Sequence, residues 1–235
     1  MSQLQNMLKV LGLCSLILGV VLIDNANAEV GAKWTVVNTK NELIEVKNGG
    51  LLPSLQAIEI ENKDLVMLTS ILGVKTEILC TGAQLIGAKL EGEGSVTSGM
   101  KLKLTGCLVK FPPWKECQPR VGTEGGVILS NKLKGLLVLH FGSGLLRLEP
   151  TEGTLFASMP MNTGCIFEEI TLSGKLFLGD SKLEVEQVNH LFAEAPLTDL
   201  WVFGKTEEHK VVIDGSVILG LGGEHQLLQW RGVPG

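Results

Sequence analysis

The densest groups of metal-binding residue types lie near the carboxyl end of the chain. Glu207-Glu208-His209 forms one group and Glu224-His225 forms the other. Imidazole and carboxylate both suit zinc, so His209, His225 and one glutamate would supply three ligands if their strands were neighbours. The same residues also fit solvated turns beside strands, and this second interpretation is favoured. The sequence therefore predicts no metal site and no cofactor.

Catalytic motifs are short and badly placed in this chain. Gly179-Asp180-Ser181 matches one hydrolase motif, but it lies between two strand candidates and not on a strand-to-helix turn. Gly174-Lys175 lacks the earlier glycine and the following Ser or Thr of a P-loop. Glu168-Glu169 offers carboxylates, but a glycosidase needs two at a set separation across a cleft. No catalytic residue is assigned.

One aromatic segment is a candidate binding loop. The chain has no tyrosine, and Trp and Phe together make up 5% of it, which disfavours a carbohydrate site with aromatic platforms. Phe111-Pro112-Pro113-Trp114 is the exception, because its two prolines keep the segment extended and out of a sheet interior. Phe111 and Trp114 would then form an exposed aromatic tip. In the favoured alternative, both side chains fold back to cap the core.

Four cysteines indicate two disulfides. Cys14 lies in the N-terminal apolar run, which leaves Cys80, Cys107, Cys117 and Cys165. An even number in an exported chain is typical of disulfides, and no C-x-x-C pair supports a metal site. The ten-residue spacing with two prolines between favours Cys107–Cys117, which leaves Cys80–Cys165. The other two connectivities stay open.

The N-terminal residues have the pattern of a secretory signal peptide. Lys9 precedes an apolar run over residues 10–23, and Ala26 and Ala28 form an A-x-A site, so cleavage is expected after Ala28. About fourteen apolar residues are too few to span a bilayer comfortably. An uncleaved N-terminal anchor is the alternative. We expect an exported protein, periplasmic, extracellular or on the cell surface, with no transmembrane segment after cleavage.

Period-two alternation and glycine-rich turns predict an all-β fold. Met100-Lys101-Leu102-Lys103-Leu104 places apolar and polar side chains on opposite faces, as in a half-buried strand. Asp214-Gly215 between two apolar runs predicts a two-residue hairpin. Many short strands favour an antiparallel sandwich or flattened barrel, with a β-solenoid as the alternative. Residues 29–55 are expected to be an N-terminal extension or edge strands, and residues 56–235 a single domain.

One segment has helical spacing. Val188, Leu191, Phe192 and Ala195 would share one face of a helix, and Pro196 would end it. Residues 186–195 are therefore predicted to form a short helix.

Several short motifs resemble those of a loose group of exported bacterial β-rich proteins of unknown function. They are Trp34, Cys80-Thr81-Gly82, Thr105-Gly106-Cys107 and the C-terminal run from Gly223-Glu224-His225 to Trp230 and Gly235. The resemblance implies an exported, β-rich protein and no activity or ligand.

Charge and composition limit the partners. The net charge is −5, and the chain has no basic run, which argues against binding to nucleic acid or to an anionic membrane surface. The favoured function is a non-enzymatic binding or cell-surface structural module with a surface or protein partner. An exported hydrolase with a site built from distant carboxylates and histidine is the alternative.

Overall fold

The computed structural model describes residues 33–38, 40, 42–44, 54–60, 65–112, 114–122, 125–140, 143–181, 189–192, 199–204, 207–214, 216–221 and 229–233. The expected signal segment, residues 1–28, and His225 lie outside these ranges.

Nearly all regular structure in the described residues is β. The first half of the chain contributes β1 (Lys33–Val37), β2 (Leu43–Ile44), β3 (Ser54–Ile60), β4 (Leu65–Ile71), β5 (Val74–Cys80), β6 (Gly82–Ile86), β7 (Ala88–Lys89), a 3₁₀ turn (Gly92–Gly94), β8 (Ser95–Thr105), β9 (Leu108–Lys110), β10 (Val121–Gly122) and β11 (Gly125–Gly126). The second half contributes β12 (Ile128–Ser130), β13 (Leu133–His140), β14 (Ser143–Pro150), β15 (Leu155–Pro160), β16 (Glu169–Ser181), β17 (Asn189–Phe192), β18 (Asp199–Gly204), β19 (Glu207–Lys210), β20 (Val212–Asp214), β21 (Ser216–Leu221) and β22 (Gln229–Val233).

Two sheets enclose the core. A four-stranded sheet has the order β20-β4-β5-β9, and a larger sheet contains thirteen of the described strands. Every described strand pair is antiparallel, including β4–β5 and β15–β16. This confirms the all-β class and is the pattern of a sandwich or flattened barrel, since the stacked rungs of a β-solenoid pair in parallel.

Two long strands close the larger sheet on itself. The first half of β8 pairs with β13, and its second half pairs with β12 and β6. Likewise, β16 pairs with β15 and β18 through its first half and with β14 and β17 through its second. A ring of six strands follows, in the order β14-β13-β8-β12-β15-β16 and back to β14.

The first and last described strands pair with each other in one short sheet. Strand β1 pairs with β22 along five residues, from Lys33 opposite Val233 to Val37 opposite Gln229. Trp34 and Trp230 are buried and pack edge to face, with ring centroids 5.3 Å apart. Within the expected N-terminal extension, β1 is therefore paired, and its Trp34 and Val36 are buried.

Two local sequence predictions are wrong. The helix expected over residues 186–195 is a strand at Asn189–Phe192, because β17 is inserted between β16 and β21 and takes its backbone partners from both. The Asp214-Gly215 hairpin does not form, because β20 pairs with β4 while β21 pairs with β3 and β17. The chain changes sheets at that point.

The two sheets share a bent ladder. Strands β5 and β9 pair in the four-stranded sheet, from Glu77 opposite Lys110 to Leu79 opposite Leu108. Strands β6 and β8 pair in the larger sheet, from Gly82 opposite Thr105 to Ile86 opposite Lys101. The register is continuous across the bend, because the β5–β6 segment and the β8–β9 segment cross between the sheets at the same point.

The bend reverses which positions face the core. Along β5 and β6, Ile78 and Cys80 are buried before the bend, and Leu85 is buried after it. Along β8 and β9, Leu104 is buried before the bend and Cys107 after it. Since successive strand residues alternate between faces, a change of parity needs a local break in the extended backbone.

The four cysteines form two disulfides, but the predicted pairing is wrong. The bonds are Cys80–Cys107 and Cys117–Cys165. Cys80 and Cys107 lie one position beyond the pair Leu79–Leu108 and therefore face each other at the bend. Short spacing suggested Cys107–Cys117, but the register of distant strands brings other sulfurs together.

Candidate binding surface

The aromatic segment caps the core. Phe111 is buried, and its ring packs against Trp114 and Phe167 with centroid distances of 4.9 and 5.9 Å. Trp114 is half-buried and packs against the core cluster. Phe111 therefore folds back to cap the core, as the favoured interpretation of this segment predicts, whereas Trp114 is only partly buried. Pro113 lies outside the described residues.

The Cys117–Cys165 disulfide holds this segment beside the loop that joins β15 to β16. Asn162 N donates to Gln118 O at 2.9 Å, and Arg120 N donates to Pro160 O at 2.8 Å. An isolated bridge also joins Pro119 and Met161. The run from Cys117 to Arg120 therefore lies along the β15–β16 connection as an extended segment.

The outer side of the larger sheet presents a continuous surface across several paired strands. We define the outer face by the outward positions of its strands β6, β8, β12, β15 and β16: Gln84, Ile86, Lys101, Lys103, Leu129, Ser158 and Thr171. One continuous row of paired residues crosses these strands, from Gln84 through Lys103, Leu129 and Ser158 to Thr171. Five strands about 4.8 Å apart give this row a length of about 19 Å.

Burial separates the two sides of this sheet clearly. Leu104, Ile128 and Ile170 are buried on the inner side. On the outer face, Ile86 and Leu129 are 42% and 41% exposed. The outer face combines these two apolar side chains with two lysines and with uncharged polar groups. Such a mixture suits contact with a polar partner surface.

A charged cluster lies elsewhere on the larger sheet. Glu149 lies opposite Lys134 on one neighbouring strand, and its carboxylate forms ion pairs with Lys134, Arg147 and Lys175 at 3.2, 3.5 and 3.7 Å. Glu149 and Arg147 are mostly buried, at 16% and 15% side-chain exposure. One carboxylate that pairs with an arginine on its own strand and with a lysine on each neighbouring strand acts as a cross-strand clamp.

A small cavity lies between the two sheets. A cavity of about 20 Å³ is lined by Met67 and Ile213 of the four-stranded sheet and by Leu104, Phe156 and Leu172 of the larger sheet. Its volume is close to that of a single water-sized site, and its walls are almost entirely apolar. A substrate does not fit there.

The remaining sequence candidates that the structure describes do not form one site. Gly179-Asp180-Ser181 lies at the end of β16, in a strand paired with β17. Glu168 and Glu169 are exposed. Glu207–Lys210, which includes His209, forms β19 and pairs with β18. Within the described residues, no group of three or more His, Cys, Asp or Glu side chains is placed to hold a metal ion.

Sequence reasoning missed the outer face. Alternation within Met100–Thr105 indicates which side of β8 is polar, but a surface needs the order and register of five strands. Leu129 lies in a run of only three strand residues, Ile128–Ser130, and carries no motif that marks it.

Comparisons with protein-family models, curated proteins and solved structures found no match. Among the described residues, none belongs to a helix with the length and apolar character needed to cross a membrane.

Proposed function

We propose that this chain is an exported, non-enzymatic binding or cell-surface module that contacts its partner through the outer face. The observation that carries the proposal is the continuous row from Gln84 to Thr171, which presents five strands on one accessible side. An open sheet face with scattered charges favours a module, whereas a concave site with grouped carboxylates would favour a hydrolase.

Export is supported by the N-terminal pattern and by the two disulfides. Disulfides form and persist mainly in oxidising compartments, so Cys80–Cys107 and Cys117–Cys165 fit a periplasmic, extracellular or surface location. N-terminal sequencing of the exported protein should begin at Glu29. A mature chain that still carries residues 1–28 would make it an anchored protein instead.

A matched pair of leucine variants tests the outer face. Leu129 lies in its centre, whereas Leu108 is 59% exposed on β9 in the four-stranded sheet. Leu129→Glu and Leu108→Glu introduce the same charge at accessible positions of opposite sheets. We would measure co-sedimentation of the mature protein with cell-envelope fragments from the producing organism.

The proposal expects wild-type protein to bind the fragments saturably, and Leu129→Glu to weaken that binding about tenfold, equivalent to about 1.4 kcal/mol. Leu108→Glu should bind as the wild type does. Equal losses in both variants, or no saturable binding by the folded wild-type protein, would reject the outer face as the contact surface.

A further inference from the structure

The β9 edge of the four-stranded sheet is covered by a single side chain, that of Gln118. Strand β9 pairs with β5 on one side, and the backbone groups of Val109 point to the other side. Val109 N donates to Gln118 Oε1 at 3.1 Å, and Gln118 Nε2 donates to Val109 O at 2.7 Å. The amide of Gln118 thus makes the two hydrogen bonds that a neighbouring strand would make.

This seal removes a hazard from β9. An edge strand with free backbone donors and acceptors is a template for pairing with other chains. Leu108, next to Val109, is 59% exposed and adds an apolar side chain to the same short strand. Whatever holds Gln118 in place therefore controls whether the edge is open or closed.

The Cys117–Cys165 disulfide is the covalent anchor of Gln118. Gln118 is also held by two hydrogen bonds with Asn162: Asn162 N donates to Gln118 O at 2.9 Å, and Gln118 N donates to the side-chain Oδ1 of Asn162 at 3.3 Å. Gln118 is itself half-buried. Local hydrogen bonds at a half-buried segment open far more readily than a core strand, so the cross-link decides how long Gln118 stays on the edge.

The two disulfides differ in access to solvent. The two cysteines at the bend are buried: Cys80 is 0% exposed and Cys107 is 1% exposed. Cys117 is also buried, but Cys165 is half-buried. Because Cys165 is the least buried of these four cysteines, a thiolate reaches Cys165 Sγ before it reaches either sulfur at the bend. Phe167 N donates to Cys165 Sγ at 3.4 Å, which stabilises Cys165 as the leaving thiolate in the second step of exchange.

We propose that Cys117–Cys165 is a redox-sensitive latch that keeps Gln118 on the edge of β9. The reductant is a dithiol. Its first thiolate attacks Cys165 Sγ, the Cys117–Cys165 bond breaks, and Cys117 leaves as a thiolate that takes up a proton. The second thiol of the reductant, as its thiolate, attacks its own sulfur in the mixed disulfide and releases Cys165. Two electrons pass to the protein, which gains two thiols, and the reductant becomes a cyclic disulfide.

Reduction of the latch leaves the bend closed and the edge open. Cys80–Cys107 stays oxidised and keeps β5, β6, β8 and β9 in their continuous ladder. The segment from Cys117 to Arg120 keeps only its hydrogen bonds, so Gln118 leaves Val109 more often. The Val109 amide then exchanges with solvent faster.

Stepwise reduction of the folded protein tests the latch. The mature protein is titrated with dithiothreitol without denaturant, free thiols are alkylated, and non-reducing peptide mapping locates them. Amide hydrogen exchange is followed at Val109. We expect Cys117 and Cys165 to be alkylated while Cys80–Cys107 remains intact, and the exchange rate of Val109 to rise by at least about tenfold.

Three variants distinguish the release of Gln118 from Val109 from a general increase in hydrogen exchange across the fold. Cys117→Ala combined with Cys165→Ala should show fast Val109 exchange without reductant. Gln118→Ala should also show it, with both disulfides oxidised. Gln84→Ala, a matched change on the outer face, should leave Val109 protected. If the double cysteine variant does not fold, wild-type reduction and Gln118→Ala still decide the question.

Two results would overturn the proposal. One is simultaneous reduction of both disulfides with loss of the fold. The other is reduction of Cys117–Cys165 alone with unchanged exchange at Val109.

Discussion

Thr81 and Gly106 face each other at the bend between the two sheets, and the Oγ1 of Thr81 occupies the space that a Cβ at position 106 would fill. The opposite strand repeats the arrangement, since the Oγ1 of Thr105 lies where a Cβ at Gly82 would be. Thr81 N also donates to Thr105 O at 3.0 Å. Each threonine hydroxyl therefore fits over a glycine, which allows the ladder to bend while its register continues.

Gly106→Ala should destabilise the protein through two separate effects. Gly106 has φ +60°, and an alanine there also meets Thr81 Oγ1. The left-handed backbone costs about 1–2 kcal/mol, and the overpacking adds about 1–3 kcal/mol. Gly153→Ala is the matched control, because Gly153 has φ +63° with open space around its Cβ. Urea denaturation measures both variants.

The overpacking contribution can be isolated by a double-mutant cycle. Thr81→Ala removes Oγ1, so it should recover most of the difference between Gly106→Ala and Gly153→Ala. Equal destabilisation by Gly106→Ala and Gly153→Ala would mean that Thr81 relaxes freely, and the proposed fit at the bend would be wrong.

Non-reducing peptide mapping should recover a Cys80–Cys107 peptide and a Cys117–Cys165 peptide. The two cross-links span 27 and 48 residues, so loop-closure entropy predicts about 3.5 and 4 kcal/mol of stabilisation, a small difference. Because Cys80 and Cys107 are both fully buried at the bend, replacing this pair by alanine should lower the melting temperature more than replacing the other pair. Recovery of a Cys107–Cys117 peptide would contradict this connectivity.

Phe111→Ala should be much more damaging than Trp114→Ala. Phe111 is 1% exposed between Trp114 and Phe167, so its truncation leaves a cavity and costs about 3–5 kcal/mol. Trp114 is half-buried, and its loss should cost about 1–3 kcal/mol. Thermal unfolding with Phe111→Leu as the conservative control checks the order. An unchanged melting temperature in Trp114→Ala would mean that the Trp114 side chain does not stabilise the core, which would make it a candidate contact surface.

Local patterns predicted the fold class because alternation is a property of each strand. Met100 and Leu104 are buried, and Lys101 and Lys103 lie on the outer face, as the period of two requires. The same patterns could not identify strand neighbours. Asp214-Gly215 fits a hairpin by its residues, yet β20 pairs with β4 in the four-stranded sheet and β21 pairs with β3 in the larger sheet.

Disulfide pairing and the outer face both depend on long-range register. Cys80 meets Cys107 because β5 pairs with β9, and Cys117 meets Cys165 because the segment after Trp114 lies along the β15–β16 connection. Neither relationship has a short sequence signal. The helix predicted around Val188 failed for a related reason, since two neighbouring strands impose extended pairing on Asn189–Phe192 whatever its apolar spacing.

Trp34 and Trp230 offer a matched pair for the terminal sheet. Both are buried and share one edge-to-face contact, but Trp34 Nε1 donates to Ser95 O at 2.8 Å, whereas Trp230 Nε1 has no hydrogen-bond partner among the described residues. Trp34→Phe and Trp230→Phe remove a similar volume. Trp34→Phe should therefore cost about 0.5–1.5 kcal/mol more, the usual net value of one hydrogen bond.

Urea denaturation of the two variants measures this difference. Ser95 O also accepts from Glu91 N at 2.9 Å, so the carbonyl keeps one partner and the penalty stays at the level of a lost bond, not an orphaned group. Slow exchange of the Val36 amide in the wild type, and faster exchange in Trp34→Phe, would show that the indole hydrogen bond fixes β1 against the 3₁₀ turn and β8. If Trp230→Phe is the more destabilising variant, the edge-to-face packing, and not the Trp34–Ser95 bond, holds the terminal sheet in place.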